Sequence, residues 1–292
     1  MNNFKKIGLS ALAGSLVAVS AHAAEITMSG GASVAITSGD ETGKSTFYQN
    51  DSISFTVSGE TDGGLSITTS LELDGDASGG AGGDFDSQSL TIGHDTFGTV
   101  IFSAHGGSTV MGGFDDMMPT AYEESWYSAD SPNQGHSTSN MFYYTNALDA
   151  ATIHASFTPA SGGSDASSLE IGAVVTAVEN LEVGFALGED NGSATAVDNT
   201  IMYAKYTMGG ATIGAQKNEA DAATGTDEDF TAMALSYAVS EDMSVSMGKS
   251  KLAYEAVGTK AQEATGFSAS YTMGSMTLAG TLNKIKNEGA NS

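Results

Sequence analysis

Apolar and polar residues alternate along this chain with a period of two, from residue 24 almost to its end. That spacing marks strands whose two faces meet different surroundings. Ile26, Met28, Gly30, Ala32, Val34 and Ile36 share one face of the first stretch, and Thr27, Ser29, Ser33 and Thr37 the other. Ile53, Phe55 and Val57 then alternate with Ser52, Ser54, Thr56 and Ser58, and the same phase returns at Leu181, Val183, Phe185 and Leu187 and at Met233, Leu235, Tyr237 and Val239. The spacing never turns to the 3.6-residue period of a helix. It predicts fifteen strands, near 25–37, 47–59, 65–74, 87–94, 99–105, 139–145, 151–158, 168–178, 181–188, 199–208, 211–218, 229–239, 243–252, 264–273 and 276–285.

Alternation alone also fits a soluble sandwich. Three features favour a membrane barrel instead. The polar face is Ser, Thr, Gly and Glu on strand after strand, which suits a wetted interior. Tight connections at Glu179-Asn180, Gly209-Gly210, Glu241-Asp242 and Gly274-Ser275 alternate with long acidic, Gly- and Ser-rich ones, the asymmetry of outer-membrane barrels. Finally, Tyr144, Val175, Tyr206, Tyr237 and Tyr271 each precede a short connection at intervals of 31, 31, 31 and 34 residues. One hairpin of two bilayer-length strands fills that period, and Tyr144, Tyr206, Tyr237 and Tyr271 read as an aromatic girdle at one membrane interface.

Residues 1–23 read as a secretory leader: Lys5 and Lys6, an apolar stretch, and the small-residue site Ala21-His22-Ala23. The remaining 24–292 form one β domain. The chain has no cysteine, and its ten basic residues, all lysine, face 35 acids. Removing Lys5 and Lys6 takes the formal charge from −25 to −27, which argues against a nucleic-acid partner.

The mature start Ala24-Glu25-Ile26, the junction Gly93-His94-Asp95-Thr96-Phe97-Gly98-Thr99-Val100, the long segment after it and the repeated Tyr hairpins together resemble the general porins of Gram-negative outer membranes, in particular the alphaproteobacterial branch. The resemblance implies an all-β, antiparallel transmembrane β-barrel of sixteen strands. It implies a homotrimer set in outer-membrane lipid and lipopolysaccharide, passing small hydrophilic solutes. Family members end on an aromatic residue, whereas this sequence ends at Ser292, so a C-terminal truncation that removes the closing strand is expected.

The resemblance also implies that the third loop, residues 106–138, folds into the barrel and narrows it. Asp115, Asp116, Glu123, Glu124 and Asp130 would form an acidic constriction there, beside Tyr122, Trp126 and Tyr127. Following the alternation, Glu60, Glu72, Glu170 and Glu182 fall on the polar pore wall, with Lys205 the one well-phased lysine among them. Such a pore is expected to be weakly to moderately cation-selective.

No Ser, His or Cys arrangement points to an enzyme. The Gly79–Asp84 stretch, with Asp74, Asp76, Asp84 and Asp86, is a weak candidate for a loosely bound Ca2+; no other cofactor is expected. The competing reading is a secreted or cell-surface structural β protein, such as a calcium-dependent adhesin.

Overall fold

A computed structural model describes residues 24–38, 45–74, 85–126, 139–160, 166–191, 196–256 and 258–288. The expected leader, Asp76, Asp84, Tyr127 and Asp130 lie outside these. Among the described residues there are fifteen strands, and their order is the chain order from β1 to β15. No described helix is long and apolar enough to cross a membrane.

The chain divides into two compact units. The first holds β1 (Glu25–Ser38), β2 (Ser45–Glu60), β3 (Ser66–Asp74), β4 (Ser87–His94) and β5 (Gly98–His105), each paired antiparallel with the next. Its hydroxylic face is internally bonded: Thr56 Oγ1 lies 3.4 Å from Ser70 Oγ, and Ser87 donates to Glu72 at 3.1 Å. Glu60 is exposed at the end of β2. β6 (Met141–Leu148) is divided between the units; its Tyr144 hydroxyl donates to the Phe97 carbonyl at 2.9 Å within the first.

The second unit comprises a short helix, α1 (Val110–Phe114), and an antiparallel meander of β7 (Ala151–Thr158), β8 (Ser168–Val178), β9 (Leu181–Asp190), β10 (Val197–Met208), β11 (Ala211–Ala222), β12 (Glu228–Ala238), β13 (Met243–Tyr254), β14 (Gln262–Met273) and β15 (Met276–Lys286). Two-residue connections close β10–β11 and β14–β15, where Gly209 and Gly274 hold φ of 60° and 62°. Glycine takes that left-handed conformation without penalty at the first position of a hairpin turn.

Burial alternates along much of these strands and fades toward the tight turns. Met202, Ile213, Met233, Leu235, Met247 and Phe267 are exposed on one face, with Tyr206, Tyr237 and Tyr271 near the tight turns. Asn199, Gln216, Asn218, Ser246 and Ser268 are buried on the other. A water-soluble sheet would invert that arrangement, so the exposed apolar face needs an apolar solvent.

Candidate functional site

What buries the polar face is the segment 109–126. It crosses the polar face of the second unit's wall from β7 toward β15, and its last described residue, Trp126, returns to β12. Thr109 caps α1, its hydroxyl accepting from Gly112 N at 3.1 Å. The first two helical amides, which have no partner within the helix, are taken up by the wall: Val110 N donates to Ser156 Oγ on β7 at 2.9 Å, and Met111 N to Glu170 Oε2 on β8 at 2.7 Å. Phe114 meets His154 and Tyr203 edge-on, with ring centroids 5.5 and 5.9 Å apart.

At the other end of α1 the orphan carbonyls meet a clamp on β11. Gln216 Nε2 donates to the carbonyls of Phe114 and Asp115, Asn218 Nδ2 donates to that of Asp115 at 3.0 Å, and Gln216 Oε1 accepts from Met117 N at 2.8 Å. Further along, Ala121 N donates to Ser246 Oγ on β13 at 2.9 Å and Tyr122 N to Ser268 Oγ on β14 at 3.2 Å. Asn283 on β15 donates to the Glu124 carbonyl at 3.3 Å. Trp126 closes the crossing against Phe230, 5.0 Å between centroids.

So close an approach needs small wall residues. A Cβ added at Gly214 would come within 2.5 Å of Pro119 Cδ, and one at Gly266 within 2.6 Å of the Ser125 Cα. The second clash is with backbone, which cannot swing aside as a side-chain tip can.

The acids divide into two kinds. Asp115, Asp116, Glu123 and Glu124 come together on the crossing segment. Loss of hydration against the wall pushes the Asp115 carboxyl up to about 6, with the negative charge of Glu124 adding to it. Asp116 is pushed up to about 8, first by lost hydration, then by a hydrogen bond to Glu124 and the charges of Glu124 and Asp115. Glu123 is raised by the same causes, desolvation before the Glu124 charge.

The wall acids are engaged differently. Glu182 accepts from the Tyr203 hydroxyl at 3.0 Å and pairs with Lys205 at 2.9 Å. Glu170 is in the expected phase but is covered by α1 and only 3% exposed. It accepts from Ser156 as well as from Met111 N, so it anchors the segment rather than lining open space. Between the segment and the tight-turn ends of β8–β11 lies a cavity of about 600 Å3, bordered by Met117, Thr120, Glu179, Glu182, Lys205 and Thr212.

Sequence reasoning missed the anchors Ser156, Gln216, Asn218, Ser246, Ser268 and Asn283. Their signal was the run of small or amide residues in the inward phase of β11, β13 and β14. Among the described residues no three His, Asp or Glu side chains converge as a metal site.

A segment pinned across the polar wall of a β-meander, with the apolar face turned out, is the arrangement of a channel, and the sequence decides which. Residues 8–292 match the family model for Gram-negative porins. The chain belongs to the Gram-negative porin family. It is therefore an integral outer-membrane β-barrel and a passive channel, not an enzyme. The porin match also displaces the secreted-adhesin reading.

Solved structures agree on the fold. A triple mutant of the Rhodopseudomonas blastica porin superposes with a TM-score of 0.71 at 15% identity, covering 89% of this chain and 94% of that one. An anion-selective porin from Comamonas acidovorans gives 0.69 at 14%, covering 91% and 90%. The trimer form of OmpT from Vibrio cholerae gives 0.68 at 13%, covering 90% and 88%. No curated protein sequence matches the chain.

Proposed function

We propose that this porin is a weakly to moderately cation-selective diffusion channel for small hydrophilic solutes, narrowed by the segment 109–126. The observation that carries this is the charge on that segment: four acids, Asp115, Asp116, Glu123 and Glu124, and no lysine or arginine between Gly106 and Thr138. The one well-phased lysine, Lys205, is neutralised by Glu182. A water-filled eyelet rimmed by acids holds a negative potential that admits cations more readily than anions.

The fold does not set the sign, since one structural neighbour is an anion-selective porin. The charges on the crossing segment do. Screening over about 8–10 Å at physiological salt keeps the preference moderate. Glu60 and Glu72 are proposed as further wall acids of the pore. A homotrimer in outer-membrane lipid is the expected assembly, as a trimer form is described for the Vibrio cholerae neighbour.

The test is the reversal potential of single channels in planar bilayers under a KCl gradient. A preference for K+ supports the reading, and a preference for Cl− overturns it. The preference should also grow as pH rises from about 5 to 9, because carboxyls with pKa raised to about 6 and about 8 gain charge across that window.

A further inference from the structure

Lys205 on β10 and Glu182 on β9 are direct register partners, and both border the cavity of about 600 Å3 on the tight-turn side of the crossing segment. Their contact is one-sided. Glu182 Oε1 takes both partners, the Lys205 ammonium at 2.9 Å and the Tyr203 hydroxyl at 3.0 Å. Glu182 Oε2 has no partner among the described residues. An ammonium carries three N–H donors, and the contact with Glu182 engages one of those of Lys205. An unused acceptor and unused donors therefore stand side by side, on side chains that are 33% exposed for Glu182 and 23% for Lys205.

The pair is held from behind. Tyr203 is buried, and its ring lies against the β9 backbone at Gly184, where any Cβ would strike it. Lys205 Nζ sits 5.3 Å from the centroid of that ring, a distance at which an aromatic face attracts a cation. One buried phenol thus fixes the carboxylate through its hydroxyl and the ammonium through its face. The cavity border adds the hydroxyls of Thr176, Thr212 and Ser236, and the exposed carboxylate Glu179 at the β8–β9 turn.

A simple ion beside a neutral pair is attracted by one member and repelled by the other at nearly the same distance, so it gains little. A molecule that carries both charges gains from each. In an α-amino acid the ammonium nitrogen and the carboxyl carbon are about 2.5 Å apart across one shared carbon. That spacing matches the 2.9 Å between Lys205 Nζ and Glu182 Oε1. Laid antiparallel on the pair, such a solute directs its ammonium to Glu182 Oε2 and its carboxylate to Lys205, so that four charges alternate in sign.

We infer that the Lys205–Glu182 pair is a binding subsite for zwitterionic solutes of the α-amino acid class, on the tight-turn side of the eyelet. The inference rests on the channel reading, since a solute reaches this cavity through the pore. It deepens that reading by naming a solute class that the channel retains as well as admits.

The test compares glycine, glycinamide, acetate and acetamide, all of similar size, binding to folded protein in detergent by saturation-transfer NMR. At about pH 6 these carry both charges, a positive charge, a negative charge and none. Glycine should bind about tenfold more tightly than glycinamide or acetate, the usual effect of one further charge-assisted hydrogen bond, and acetamide should bind last. Glu182→Gln should put acetate first and Lys205→Gln should put glycinamide first, reversals that a purely structural pair would not give. A parent that binds glycine no better than acetamide, or that ranks glycinamide first, overturns the subsite without any variant. So does a folded variant that keeps the parent's order. Bilayer recordings on the same preparation keep the two readings apart: K+-preferring channels without a glycine preference sink this inference alone, and a glycine preference in channels that favour Cl− sinks the selectivity reading alone.

Discussion

Two carboxylate sites in this porin differ in what surrounds them. Glu182, on the wall strand β9, has a cation and a phenol to itself: Lys205 at 2.9 Å and the Tyr203 hydroxyl at 3.0 Å. Asp116, on the crossing segment, has other acids, with Glu124 hydrogen-bonded to it and Asp115 beside it. The first arrangement fixes a local charge near zero. The second holds acids together against a wall that strips their water, and there the cheapest response is to keep a proton. On the proposed reading, the pore has a fixed wall and a titratable eyelet.

The comparison breaks most readily at the eyelet. Replacing Asp115 and Asp116 by Asn and Glu124 by Gln should lower the K+ to Cl− permeability ratio at pH 8 by about threefold per charge removed. It should also flatten the pH dependence of reversal potential, whereas Glu182→Gln should leave that dependence in place. The sign for stability runs the other way: carboxyls with raised pKa favour the folded state when protonated, so the parent should lose stability as pH rises from about 4 to about 8 and the triple variant should not.

Gly266→Val tests whether the wall causes the desolvation. The new side chain would strike the Ser125 backbone, at a cost of about 1–3 kcal/mol in thermal unfolding. With the segment lifted, the midpoint of the pH-dependent selectivity should move to lower pH. A variant that unfolds earlier but keeps its midpoint would show that acid crowding alone sets it.

Removing both Ser246 and Ser268 hydroxyls by Ala should act in the same direction but more weakly, at about 0.5–1.5 kcal/mol, because Ala121 N loses its Ser246 acceptor while Tyr122 N, on an exposed residue, keeps Thr120 Oγ1 at 3.3 Å. Hydrogen exchange at those two amides is the direct readout. The smallest effect is expected at the wall. Lys205→Gln unmasks Glu182 and should raise cation preference by less than about twofold, in keeping with the modest worth of a partly exposed pair.

The strands were legible because lipid and water on opposite faces impose a period of two, and all fifteen lie near the positions expected from it. The largest departure is β11, expected to stop at 218 but continuing to Ala222, followed by β6, expected at 139–145 and found at Met141–Leu148. The outward positions at the end of β11 are Lys217, Glu219 and Asp221, and the apolar signal fails although Lys217 compensates both Glu219 and Asp229. The grouping of the four acids followed from resemblance, not from spacing. The burial of Glu170 was not legible at all: an inward glutamate reads as pore lining, and the amide that covers it belongs to Met111, 59 residues earlier.

The anchors of the crossing segment also order events in time. They span sequence separations from 46 residues, at Val110 and Ser156, to 159, at Glu124 and Asn283. Contacts between distant parts of a chain form late, because the loop they close must first lose its freedom. The eyelet proposed for this segment is therefore completed last: its first anchor waits for β7 and its last for β15.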